Sequence, residues 1–184
     1  MYKPSFGFLT DYFRTEYIMS NLTTDSFKEE HIMSLNYNVN ATSRLYFWQL
    51  YSILGEERIH NFIQNFYESI FNDTNDIFFS NTFKQLGTIE YHIFGQQNFW
   101  LDIMGGGKRY AGGEFRLERH HNLAKDIMNK KGAKRWLFHM ETTLNNHLID
   151  LTNDYRVKLC IMDFIHFFMK KYAKQFNFVF NSNL

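Results

Sequence analysis

The chain has 184 residues, 45% hydrophobic and 21% charged, with a formal net charge of +1 at pH 7. That length accommodates one domain with extensions rather than two full domains, and a single cysteine excludes an intrachain disulfide framework and any cysteine-cluster zinc or iron–sulfur site. The near-neutral balance argues against nucleic acid or an anionic membrane as a partner, since both call for a net basic surface.

The longest apolar stretch, Leu159 to Met169, is interrupted by Asp163 and His166 and falls short of the roughly 20 apolar residues that span a bilayer. No basic-then-apolar leader opens the sequence, and Asp11 and Glu16 count against a transit peptide. The expected location is therefore cytoplasmic, with no membrane span. Phe numbers 21 and aromatic residues make up 19% of the chain, whereas Pro occurs once, at Pro4. A chain nearly free of Pro can run long helices, because nothing removes amide donors or clashes with the preceding turn.

Residues 1–40 are polar, with Ser, Thr and Asn clusters and no sustained period. They read as an extension, part coil with one short helix, and mobile. From Ser43 the pattern is helical. Arg44 to Leu54 is a first helix closed by Gly55. Ile59, Phe62, Ile63, Phe66, Tyr67 and Ile70 then recur at spacings of three and four, the apolar face of a second helix. Asn72 to Asn75 are turn formers. Ile77 to Phe83 reads as a short aromatic connector. Another strong helix runs from about Thr88 to Met104 and stops at Gly105-Gly106-Gly107.

Lys108 to Gly113 is loop, and Phe115 to His121 suits a short helix. Trp136, Leu137, Met140 and Leu144 mark a further helix. Asn153 caps the last one, which carries Val157, Ile161, Phe164, Phe168 and Tyr172 at helical spacing. No strand pair and no internal repeat stand out, so the fold class is all-α.

Most motif-like features have plainer readings. Gly105-Gly106-Gly107-Lys108 lacks the earlier Gly, the following Ser or Thr and the preceding strand of a phosphate loop, and reads as a helix terminator. Asn72-Asp73-Thr74-Asn75-Asp76 lacks the turn Gly and closing Glu of a calcium loop and reads as a polar turn. Cys160 sits in an apolar helix, where it behaves as a small hydrophobe. Of the eight His, no two form a His-Glu-x-x-His helix, and His139, His147 and His166 have unremarkable settings.

His92 and His120 stand apart. His92, Gln96 and Phe99 share one face of their helix, Tyr67 lies on the apolar face of an earlier one, and Trp136 begins the helix after His120. Together they outline an apolar pocket with three or four hydrogen-bonding groups. A haem pocket needs an apolar cage, one neutral imidazole and a few polar groups opposite. A Phe-rich helical core with some polar atoms would give a similar pattern.

From about Leu45 to Tyr172 the sequence resembles a truncated haemoglobin, most like the group 2 class shared by bacteria and plants. Four segments in order carry the resemblance. Leu50-Tyr51-Ser52-Ile53-Leu54-Gly55-Glu56-Glu57 is similar to the start of that family's B helix, and Phe66-Tyr67-Glu68 to its Phe-Tyr pair. Phe99-Trp100-Leu101-Asp102-Ile103-Met104-Gly105-Gly106, with Arg109-Tyr110, resembles the end of its E helix. Arg119-His120 and Ala133-Lys134-Arg135-Trp136-Leu137-Phe138-His139-Met140 resemble its proximal Arg-His and the start of its G helix.

The resemblance implies a two-over-two helical sandwich over residues 41–177, with an N-terminal extension over 1–40 and a tail over 178–184. It implies haem b, iron protoporphyrin IX, ligated by His120. Tyr67 then matches the distal Tyr, Gln96 and His92 the two distal positions of the E helix, and Trp136 the pocket Trp. Phe83, ahead of Phe79, and Phe99 would pack against the haem, with Arg119 and Tyr110 at positions that meet its propionates. Two departures bear on the proximal side: Gly107-Lys108 replaces a Pro-Pro, and His121-Asn122-Leu123-Ala124 replaces a Pro-rich segment. His121 is therefore the alternative ligand, and His120 is favoured because Arg119 precedes it.

Three functional classes follow. The first is a haem protein that binds O2 or another diatomic gas. The second is a redox enzyme on the same pocket, such as a nitric oxide dioxygenase or peroxidase, which would need a separate reductase. The third is a haem-free globin-like interaction module. The polar distal set favours the first, because a pure core has no use for it; fold alone would not.

Overall fold

The computed structural model describes residues 5–19, 45–110, 122, 124–125 and 127–180. Six helices are described in full: α1 (Phe8–Met19), α2 (Leu50–Phe71), α3 (Ile77–Leu86), α4 (Ile89–Ile103), α5 (Lys130–Leu151) and α6 (Tyr155–Gln175). The fold is all-α. The short helix expected over Phe115 to His121 lies outside the described residues.

Helix α2 forms the centre. Ile59, Phe62, Ile63, Phe66, Tyr67 and Ile70 are all buried, and burying each such side chain contributes about 1.5–3 kcal/mol. Helices α4 and α5 pack on α2 from different sides, and α6 joins α5. The start of α2 differs from the expected helix. Leu45 and Tyr46 are extended, Phe47–Gln49 make one 3-10 turn, and α-helix begins at Leu50. The Gln49 side chain accepts the Tyr46 amide at 2.9 Å and closes that turn. Gly55 then interrupts α2 with φ 75° and ψ 168°. No atom lies within 4 Å of where its Cβ would stand, so the backbone angle, not space, calls for glycine.

The segment expected to be an aromatic connector is a helix. Asp76 caps α3 by accepting the Phe79 amide at 3.1 Å, and Phe79, Ser80 and Phe83 form its buried face. Thr88, read from the sequence as the start of this helix, caps α4 by accepting from the Tyr91 amide at 3.3 Å. The cap of α6 is Asp154 rather than Asn153: its carboxylate accepts the Arg156 amide at 3.0 Å. Asn129 caps α5 through the amides of Lys131 and Gly132.

The glycine run ends α4, with Gly105 and Gly107 at positive φ, and also receives the N-terminal segment. Ser5 and Phe6 pair in parallel with Gly106 and Gly107. Each strand is two residues long, too short for a sequence pattern to register. Residues 8–19, within the extension expected to be part coil with one short helix, form α1 and bury Leu9, Phe13 and Tyr17 at a spacing of four. The buried Asp102 carboxylate accepts the Thr10 amide and hydroxyl, each at 3.0 Å, and the Arg109 amide at 3.2 Å. The Phe13 ring meets Phe99, Phe164 and Phe168 at 5.5–6.1 Å between centroids. α1 is thus part of the core that backs α4 and α6.

Candidate functional site

The apolar face of α2 brings Tyr67 to the junction of α2, α3 and α4. Its ring is buried, edge-on to Phe66 at 5.2 Å and to Phe83 at 6.3 Å, and stacked on His92 at 5.4 Å and 18°. Its hydroxyl makes no hydrogen bond with any described residue. Burial pushes the phenol well above its ordinary range, so it stays a protonated donor.

His92 is differently engaged. Its Nε2 lies 2.9 Å from the Phe83 carbonyl. A carbonyl only accepts, so Nε2 carries the proton and donates it. Burial lowers the pKa of this imidazole, which favours the neutral ring. Its Nε2 thus ties α4 to the end of α3. Gln96, one turn further along α4 on the same face, is half-buried and makes no hydrogen bond with a described residue. Trp136 of α5 is half-buried, packs edge-on against Phe66 at 5.0 Å, and its indole N–H also has no described partner.

Phe83 is buried against Phe79 at 5.0 Å. Phe99 is buried further along α4 and meets Tyr110 edge-to-face at 5.6 Å. The Tyr172 phenol on α6 is pushed up by burial and then by the nearby phenols of Tyr67 and Tyr110. The structure thus gathers Tyr67, Phe83 and His92 directly, links Trp136 through Phe66, and places Gln96, Phe99 and Tyr110 along the same stretch. Arg119, His120 and His121 lie outside the described residues.

A second polar constellation adjoins this one. The Asp73 side chain, 1% exposed, accepts from Arg135 Nε at 2.6 Å and Arg135 Nη2 at 2.5 Å. His139 Nε2 donates to the same carboxylate at 2.8 Å, and the Asn75 and Asp76 amides add 2.9 and 3.1 Å bonds. His139 Nδ1 meets the Ser69 hydroxyl at 3.1 Å, and the His139 ring stacks on Phe79 at 5°. The Arg135 fork holds the Asp73 carboxyl far below the usual carboxylate range. Burial lowers His139, against the opposing pull of Asp73.

Sequence reading took the Asp73 segment for a polar turn, which it is, and His139 for an unremarkable histidine; neither reading anticipated that Asp73, Arg135 and His139 are bonded together. The partners stand 62 and 66 residues apart, beyond the reach of local periodicity. The one local signal was Arg135 and His139 at a spacing of four, on a single helix face.

Against known proteins, a family model described as bacterial-like globin matches residues 49–171. The match runs from the last residue of the 3-10 turn through most of α6 and contains the Tyr67 pocket and the Asp73 knot. No curated protein matches the chain.

Proposed function

The chain belongs to the bacterial-like globin family, and on that premise we propose that it binds O2 or another diatomic gas at haem b, with His120 as the iron ligand. Membership implies the haem cofactor; the ligand residue, the gas and the group 2 resemblance are the proposal's own. The observation that supports it is Tyr67: its ring is buried against Phe66, Phe83 and His92, and its hydroxyl makes no hydrogen bond with a described residue. A hydrogen-bond acceptor on a bound ligand would use that hydroxyl. The residues on this side fit a haem and its gas: apolar Phe83 and Phe99, neutral His92, and donors that bond no described residue.

Haem, when bound, supplies an iron with a position open to a diatomic gas. Tyr67 donates from a phenol that burial keeps protonated. Gln96 and Trp136 extend N–H donors from α4 and α5. Phe83 and Phe99 exclude water, and in that low-dielectric setting a preorganised donor is worth more than in solvent. Tyr110 and Arg119 would meet the propionates. Cytoplasmic placement is proposed with this reading; no helix among the described residues is long and apolar enough to cross a membrane.

The test is the ultraviolet–visible spectrum of the purified protein with haem supplied, in the ferric and ferrous states. A Soret band retained in His121→Ala and lost in His120→Ala is the expected result. The reverse pattern moves the ligand to His121. Absence of haem binding in the wild type leaves a haem-free module and ends the gas-binding proposal. Reductase-dependent turnover would instead make the protein a redox enzyme on the same pocket.

A further inference from the structure

We propose that the Asp73–Arg135–His139 knot is the positioning device of the pocket, setting where Tyr67, His92 and Trp136 stand. This deepens the gas-binding reading and, for its ligand kinetics, rests on it. Three routes lead from the knot to the pocket. Arg135 immediately precedes Trp136, so the fork that grips Asp73 also fixes where Trp136 meets Phe66. Asp73 follows the C-terminal end of α2, on which Tyr67 stands, so the same ion pair locks the register of α2 against α5. His139 stacks on Phe79, Phe79 packs on Phe83, and the Phe83 carbonyl holds His92 Nε2 against the Tyr67 ring.

Asp73 is suited to this task because its bonds are directional. A bidentate guanidinium–carboxylate pair fixes orientation as well as distance, and the Asn75 and Asp76 amides also bond the carboxylate, both at Oδ1. An apolar contact of equal strength would tolerate sliding by a fraction of a helical turn. The knot touches no ligand. It acts through the three pocket residues, so a remote packing change here should alter ligand release by roughly two- to thirtyfold.

The experiment uses the full chain and two readouts. The first is the indole N–H resonance of Trp136 in the haem-free protein, identified by its loss in Trp136→Phe. The second is the O2 dissociation rate of the haem-loaded protein. The variants are Asp73→Asn, Arg135→Gln and the milder Arg135→Lys, which keeps the charge and loses the fork. Arg156→Gln, which breaks the Asp154 pair at the start of α6, controls for lost stability alone.

The expected result is a shifted Trp136 resonance and faster dissociation in Asp73→Asn and Arg135→Gln, intermediate values in Arg135→Lys, and wild-type values in Arg156→Gln. If Asp73→Asn does not fold, the Arg135 pair decides. Lower stability with an unmoved resonance and an unmoved rate in both Arg135 variants overturns the proposal. Failure of the wild type to bind haem defeats the gas-binding reading instead, and the resonance still decides the positioning role.

Discussion

The Asp73 knot and the Tyr67 pocket are neighbouring polar clusters in the same Phe-rich core, built from the same helices, and they treat hydrogen bonds in opposite ways. In the knot, the Asp73 carboxylate receives two bonds from Arg135, one from His139 and two from backbone amides. In the pocket, Tyr67, Gln96 and Trp136 make no hydrogen bond with any described residue. A satisfied buried network rigidifies and specifies packing, whereas donors that bond no described residue are open to a ligand's acceptor. The contrast predicts that knot substitutions act mainly on stability and geometry, and pocket substitutions on ligand release.

The largest expected effect is in the knot. Asp73→Ala leaves Arg135 and His139 without their anion and should cost about 3–5 kcal/mol, read as a lowered urea midpoint. An unchanged midpoint would remove the knot from the core's support. Acid should expose the same region. His92 and His139 both have folded pKa values lowered by burial. Between the folded and unfolded values the unfolded chain binds more protons. Their contribution is complete above about pH 6.5 and is lost as pH falls below it. Asp73, lowered by Arg135, contributes fully above about pH 3.9 and loses that contribution only as pH falls further. Thermal melts across this range should show stability declining in two stages, and His139→Gln should shrink the upper one. Ser69→Ala removes only the hydroxyl beside His139 and should cost about 1 kcal/mol.

The same contrast explains what the sequence disclosed. The buried face of α2, the start of α4 near Thr88 and the glycine stop after it are local signals, and they were readable. Tyr67, Gln96 and Trp136 were named from their places on helices and from the family resemblance. The helix α3 was misread as a connector because its Asp76 cap sits inside a run of turn formers. A short helix was expected in the extension, but its joining the core was not, because the three anchors of α1, Leu9, Phe13 and Tyr17, are embedded in polar residues and become a face only against α4 and α6. The Asp73 knot was missed altogether: its bonds join the α2–α3 corner to α5, and nothing in either segment alone marks the other as its partner. His92 shows the limit in another form, since its helical face was legible while the Phe83 carbonyl that occupies its Nε2 was not.

The central claim, that Tyr67 serves a ligand and not the fold, is tested most directly by one comparison on Tyr67→Phe: its urea midpoint beside its O2 dissociation rate. The account predicts a stability change below about 0.5 kcal/mol, because no bond to a described residue is lost. It predicts a dissociation rate about tenfold to a hundredfold faster, the loss of one charge-assisted hydrogen bond. A large loss of stability with an unchanged rate would contradict it and make Tyr67 a structural residue.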